Sequence, residues 1–402
     1  MLRIMYVHTL LLTHLITYSQ QPKLVLPVGH SNALSFVGFS PDGMKILTTS
    51  QDKTAKIWDA KSGALLLDIK GHENALSSGA FSPDSKTFII TSVDETASIC
   101  EISTGNILHK LKGHTGSIRL ANFSNDGSKI ITASEDSTAR LWDAKSGTLL
   151  KIFRRHQHWV YDAAISNDGN NILTVSQGQV IRWNLKTASS EQLKEFTSST
   201  ISGAFSNDGK MVITSSNDGD VKVRETESGK SLLSFKAHDG WIRALKYSKD
   251  DKKFVTVSAD KTAKVWDATS GRLINNFDGY GGEVLFADFD NTGNKLLTLS
   301  ADKFIKVWDL KTKKLLYSYQ RKEIYGNVLA AFNPNGQKVI ISPGLAYAEI
   351  IDLSSGVTET SLKGRTSVIF GVSFSPDGKK FTTASSNGTV KICLLYTSIN
   401  CA

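Results

Sequence analysis

The feature that most constrains this chain is an internal repeat of about 42 residues. The stretch from Gly113 to Asp143, GHTGSIRLANFSNDGSKIITASEDSTARLWD, contains a Gly-His pair, an alternating strand and an Asn-Asp-Gly turn. A second strand, a Ser-x-Asp turn and a strand ending in Trp-Asp follow. The position of Trp142 recurs at Trp58, Cys100, Trp183, Arg224, Trp266, Trp308, Ile351 and Cys393, in steps of 42, 42, 41, 41, 42, 42, 43 and 42 residues. Each unit reads as four short strands of period two, joined by turns rich in Asp, Asn and Gly. One such small twisted sheet cannot bury both its faces alone. A fixed period of this length therefore implies wedges that cover one another by stacking.

Composition narrows the function classes. With 40% hydrophobic and 21% charged residues, the 402-residue chain is globular, and no apolar run is long enough to span a bilayer. The net charge of +9 invites a nucleic-acid reading. However, Lys56, Arg140, Arg182, Lys222, Lys264, Lys306 and Lys391 recur at one repeat phase, which spreads the charge around the molecule. A phosphate backbone needs a stripe, so the distribution argues against nucleic acid. Three cysteines, Cys100, Cys393 and Cys401, are too few and too badly placed for a disulfide framework.

The Gly-His, Ser-x-Asp and Trp-Asp elements, in that order and at that period, resemble the WD-repeat family of β-propellers over about residues 24–393. The resemblance implies an all-β fold of four-stranded blades arranged radially, and nine repeats favour a single nine-bladed ring. A seven- or eight-bladed ring with extra units is the alternative. It also implies that an N-terminal strand, residues 24–28, completes the last blade. The family's structural tetrad carries over to His30, Ser50, Asp52 and Trp58, to His114, Ser134, Asp136 and Trp142, and to His238, Ser258, Asp260 and Trp266. In that reading the carboxylate accepts from imidazole, which bridges to the serine hydroxyl and the indole. Other repeats depart from the pattern, with Cys100, Gly178, Arg224, Tyr280, Glu323, Ile351, Arg365 and Cys393 at tetrad positions. Those blades are expected to be held by apolar packing alone and to open more readily.

No catalytic signature appears, whether Walker loop, Rossmann fingerprint, nucleophile elbow or zinc-protease helix. His156-x-His158 has metal-compatible spacing but no further ligand at that spacing, so no metal and no cofactor is expected. Cys100 stands where a packed tryptophan belongs and reads as an inert buried thiol. Asn122 and Asn387 match glycosylation sequons, Asn122 inside a strand.

One feature exceeds structural need. Trp159 and Trp241 share a single phase, three residues after the tetrad histidine. In the resembling propellers that phase, and the residue two later, lie on the face that captures partners. The candidate face is therefore Arg119, Trp159, Tyr161, Trp241, Arg243 and Leu285, with Ser117 and Glu283 at the same phases; Trp, Tyr and Arg dominate interface energetics. The plain alternative is that these side chains plug the channel mouth or pack locally.

The expected function is a monomeric, non-catalytic scaffold that binds a protein or peptide. The alternative is the sensory region of a larger protein with a protease-like or kinase-like domain, and a propeller hydrolase ranks below both. Residues 1–19, with Arg3 followed by an apolar stretch and a small-residue exit at Thr17 and Ser19, read as a signal peptide. Export to the periplasm or outside follows if so, a cytoplasmic protein otherwise. The run Cys393-Leu-Leu-Tyr-Thr-Ser398 matches one reading frame of a transposon-end sequencing adapter, so 393–402 is set apart as an atypical, non-native tail; a divergent last strand is the alternative.

Overall fold

The computed structural model describes residues 29–177, 179–193, 200–302, 304–320, 329–342, 347–362 and 368–395. The proposed leader, the closing strand at 24–28 and the end of the tail lie outside them. Among the described residues there is no helix, and the strands form nine antiparallel sheets in a ring. Eight sheets have four strands in sequence order, which we call a to d. Blade 1 is typical, with a at Leu34–Phe39, b at Lys45–Ser50, c at Ala55–Asp59 and d at Leu65–Ile69. Blade 9 shows three, Ile369–Phe374, Lys380–Ser385 and Val390–Leu394.

Burial along the strands explains their composition. Strands b and c are sandwiched between neighbouring blades, so both of their faces are covered. Strand b of blade 1, KILTTS, is buried at every position after the lysine. Such strands read as near-continuous runs of Ile, Leu, Val and Thr rather than alternating ones. Strand d alternates between exposed and buried, as in LLLDI of blade 1, because its outer side meets solvent. Strand a lines the axis, and in most neighbouring pairs the a strands touch one another.

Packing between blades is carried by aromatic side chains from strand c against strand d of the preceding blade. Phe153 lies 5.0 Å from Trp183, Phe235 4.8 Å from Trp266 and Phe277 4.7 Å from Trp308. Such pairs add about 1 kcal/mol beyond the area they bury. The ring closes where blade 9 meets blade 1. Ile392 packs with Ile46, Trp58 and Ala60, while Leu34 packs with Ala384 and Val390. The His30 amide donates to the Gly388 carbonyl at 3.0 Å. Gly388 has φ of 80°, and a Cβ there would sit 2.0 Å from the His30 carbonyl oxygen, so no other residue fits.

Cys393 is fully buried beside Phe381 and Ile350 and continues strand c of blade 9, paired with Phe381. It is also disulfide-bonded. Cys100, by contrast, is free and buried.

Candidate functional site

The polar relays hold the loops that frame the site, and they correct one residue in each expected tetrad. His114 Nδ1 contacts Asp136 at 2.7 Å, as expected. Its Nε2 meets the hydroxyl of Thr132 at 2.8 Å, not that of Ser134. The Trp142 indole donates to the same Thr132 oxygen at 3.0 Å. Thr48 plays this part between His30 and Trp58, and Thr256 between His238 and Trp266. A neutral imidazole fits this arrangement: Nδ1–H donates to the carboxylate while Nε2 accepts the threonine proton. Ser50, Ser134 and Ser258 serve the backbone instead. Ser50 donates to the Asn32 and Ala33 carbonyls, Ser134 to that of Gly116, and Ser258 accepts the Asp260 amide. The reason is position. The serine closes strand b beside the loop carbonyls, whereas the threonine two residues earlier shares its face and lies opposite the indole.

Burial pushes the Asp136 carboxyl up, but hydrogen bonds from His114, Thr138 and the Thr115 amide overcome it and hold the group well below the usual carboxylate range. Asp260 behaves in the same way, with bonds from His238, Thr262 and the Asp239 amide. In blade 2, burial is likewise outweighed by Thr96, the Glu73 amide and His72, which leaves Asp94 at about 2.

The divergent blades are not held by apolar packing alone. In blade 2, His72 keeps Asp94 at 2.9 Å and meets Ser98 at 2.8 Å, with Cys100 filling the tryptophan position. Burial drives the Cys100 thiol up to about 12, so it is inert. In blade 7, Tyr280 replaces the histidine directly. Its hydroxyl lies 2.7 Å from Thr298 and accepts the Trp308 indole at 2.9 Å. In blade 4, His156 and Trp183 still converge on Thr174 at 2.7 and 2.8 Å. There, however, His156 Nδ1 is buried without a hydrogen bond, as is Gln179 Oε1. Buried Arg224 donates to the Gly229 carbonyl in blade 5. Apolar packing is seen at the tryptophan position of blade 8, where Ile351 is fully buried.

The a strands build the candidate site itself. They run Leu76–Phe81, Ile118–Phe123, Val160–Ile165, Thr200–Phe205, Ile242–Tyr247 and Val284–Phe289 in blades 2 to 7, and Leu329–Phe332 in blade 8. In every blade but the eighth, the pairing of a with b slips by one residue after the first pair, for example between Val160↔Ser176 and Asp162↔Val175. The bulged residue is Ser35, Ser77, Arg119, Tyr161, Ile201, Arg243, Leu285 or Phe370, at one repeat phase throughout. A bulge leaves one residue out of the ladder and re-aims its side chain. Tyr161 is 43% exposed and Leu285 45%, although they sit on the innermost strand. Trp159 and Trp241, two residues before their bulges, are 55% and 51% exposed, so neither is packed away.

These side chains form two aromatic–cation units. The Arg119 guanidinium lies 5.3 Å from the Trp159 ring and pairs with Glu135 at 2.9 Å. The Arg243 guanidinium lies 5.1 Å from the Trp241 ring and gives two bonds to Glu283 Oε2, at 2.9 Å from Nε and 2.7 Å from Nη2. Stacking of this kind is worth about 0.5–1 kcal/mol at exposed sites and fixes the long arginine in one pose. A cleft of about 760 Å³ opens beside Trp241. The tryptophans themselves are not brought together, because blade 5 stands between blades 4 and 6. Leu285 lies beyond Arg243 on blade 7, next to exposed Phe286, a residue that strict strand alternation would have hidden. No sequence signal marks Phe286, because the bulge that exposes two successive residues is set by strand pairing.

The opposite face is occupied by its own turns. Asn207 Nδ2 donates to the Ser248 carbonyl at 2.9 Å and to Asp251 at 2.6 Å, and the Asp208 amide donates to Asp251 at 2.8 Å. Asn291 donates to the Pro334 carbonyl at 2.7 Å. These bonds tie the blade 5 turn to blade 6 and the blade 7 turn to blade 8, while Pro41, Asn291, Pro334 and Pro376 line a cavity of about 620 Å³ on this side of the ring.

Ring, relays and repeat define the class: the chain belongs to the WD-repeat β-propellers. The family profile described as the IFT122 first beta-propeller matches residues 75–324, and the WD domain, G-beta repeat profile matches 20–59 and 356–393. Among solved structures, the computationally designed Ika8 protein is similar at 24% identity with a TM-score of 0.62, covering 93% of this chain and 100% of its own, a likeness of fold alone. No curated protein matches the chain.

Proposed function

We propose that this protein is a non-catalytic platform that docks a protein or peptide on the face carrying Trp159, Tyr161, Trp241, Arg243 and Leu285, with Arg119 buttressing Trp159. The observation that carries the reading is the exposure of two indoles that the fold does not use, each held in place by its own arginine. Rigid amphipathic side chains of this kind lose little entropy on binding, and they supply most of the energy at interfaces. Among the described residues no group of three metal-ligating side chains converges, and the relay histidines are occupied in structural bonds.

The test is capture of partners by the wild type against the double variant Trp159→Ala with Trp241→Ala. Capture should be lost while the melting temperature stays within about 2 °C, because exposed side chains contribute little to folding. A large fall in melting temperature would mean the indoles plug the channel for stability instead. Export is a separate proposal that rests on residues 1–19 alone; N-terminal sequencing of the mature protein should begin after Ser19.

A further inference from the structure

We infer that the cleft beside Trp241 receives a cationic side chain, lysine or arginine, from the docked partner. The inference rests on the docking reading above and adds the chemistry of what is bound. Four carboxylates line the cleft, Asp218, Asp239, Asp260 and Glu283, against two cations, Lys236 and Arg243. The local balance is thus negative in a chain whose net charge is +9. Both cations are already engaged. Arg243 is locked between Glu283 and the indole, and Lys236 Nζ donates to the Asp218 carbonyl. Asp260 is held ionised by its relay bonds. Asp239 is exposed, and its carboxylate makes no ion pair among the described residues.

The site therefore offers the indole surface that Arg243 leaves uncovered, next to a carboxylate without a counter-charge. Arg243 itself shows what this environment holds: a guanidinium between an indole and a carboxylate. A second cation would use the same chemistry, with Trp241 and Asp239 in the two parts. An acidic side chain would meet Asp218 and Asp239, and an apolar one would desolvate Asp239 without compensation. Trp159 lacks this setting, because its loop is basic, with Arg154 and Arg155 just before it.

The probe is the intact protein labelled with 5-fluorotryptophan, the Trp241 resonance being assigned as the one lost in Trp241→Phe. Titration with N-acetyl-arginine amide or N-acetyl-lysine amide should shift that resonance saturably. N-acetyl-glutamate amide should leave it in place. In Asp239→Asn the arginine amide should bind at least fivefold more weakly, with the other six tryptophan signals unmoved as a check on folding. An equal response to the glutamate amide, an unchanged titration in Asp239→Asn, or no response to either cation would overturn the inference. A response to N-acetyl-leucine amide alone would also overturn it while leaving the aromatic face as a docking surface. The double-tryptophan capture experiment decides the docking reading independently.

Discussion

In blades 1, 3, 4, 6 and 7 the threonine two residues before the turn serine carries the polar relay, and its removal is the sharpest test of how these blades are held. Thr256→Val keeps the shape but leaves the His238 Nε2 and the Trp266 indole without partners in a buried site. The expected loss is about 2 kcal/mol or more by urea unfolding, since each buried orphan costs about 1–3 kcal/mol. Ser258→Ala removes one acceptor at the turn and should cost less than Thr256→Val. The sequence pattern showed that an imidazole, a carboxylate, a hydroxyl and an indole meet. It could not show which hydroxyl, because Thr256 and Ser258 lie on the same face of one strand. His156 makes a second residue-scale case. Burial lowers its pKa from 6.5 to about 4, opposed by the neighbouring Gln179 side chain and by no carboxylate. The unfolded chain then takes up a proton below pH 6.5 that the folded chain refuses until about pH 4. Stability should thus fall as pH drops across that window, by up to about 3 kcal/mol from this residue. Gln179→Glu, placing a charge opposite Nδ1, should flatten that part of the pH–stability curve; an unchanged slope would contradict the account.

The strand positions were legible because the turns keep time and the core strands are apolar, while Trp159 and Trp241 stood out by falling outside the structural phase. The bulge was not legible. A slip of one residue after the first pair leaves a sequence such as VYDAAI looking like ordinary alternation, yet it exposes both Tyr161 and Asp162. The pairing of strands therefore decides which inner-strand residues face a partner, and periodicity alone cannot. Between elements, the close approach of one blade's turn to the next blade's loop rests on glycine at Gly219 and Gly388. Each has positive φ, and each Cβ position lies 2.0 Å from a carbonyl, of His238 and His30 respectively. Gly219→Ala should loosen the seam between blades 5 and 6. The expected result is faster amide exchange at His238, whose amide donates to the Gly219 carbonyl at 3.0 Å, with exchange in blade 2 unchanged.

At the scale of the molecule, each blade hides its faces only against its neighbours, so stability depends on closure. The family resemblance made nine wedges countable from the sequence, but seven, eight and nine blades all remained compatible with the repeat. What decides among them is the contact between the first and last wedges, which lie more than 330 residues apart in sequence and carry the same repeat motif as every other pair of neighbours. That seam can be locked. An ideal Cβ on Gly371 of blade 9 lies 3.9 Å from the Val37 Cβ of blade 1, within the span a disulfide bridges, and its 2.7 Å clash with Val37 Cγ1 vanishes when valine becomes cysteine. The most direct measurement is therefore oxidation of the double variant Val37→Cys with Gly371→Cys, followed by thiol counting and non-reducing electrophoresis. A nine-bladed ring closed by blade 9 on blade 1 should form the bond within one molecule, migrate faster and resist heating more than the reduced form. Thiols that stay free, or that link only between molecules, would mean the ring closes elsewhere.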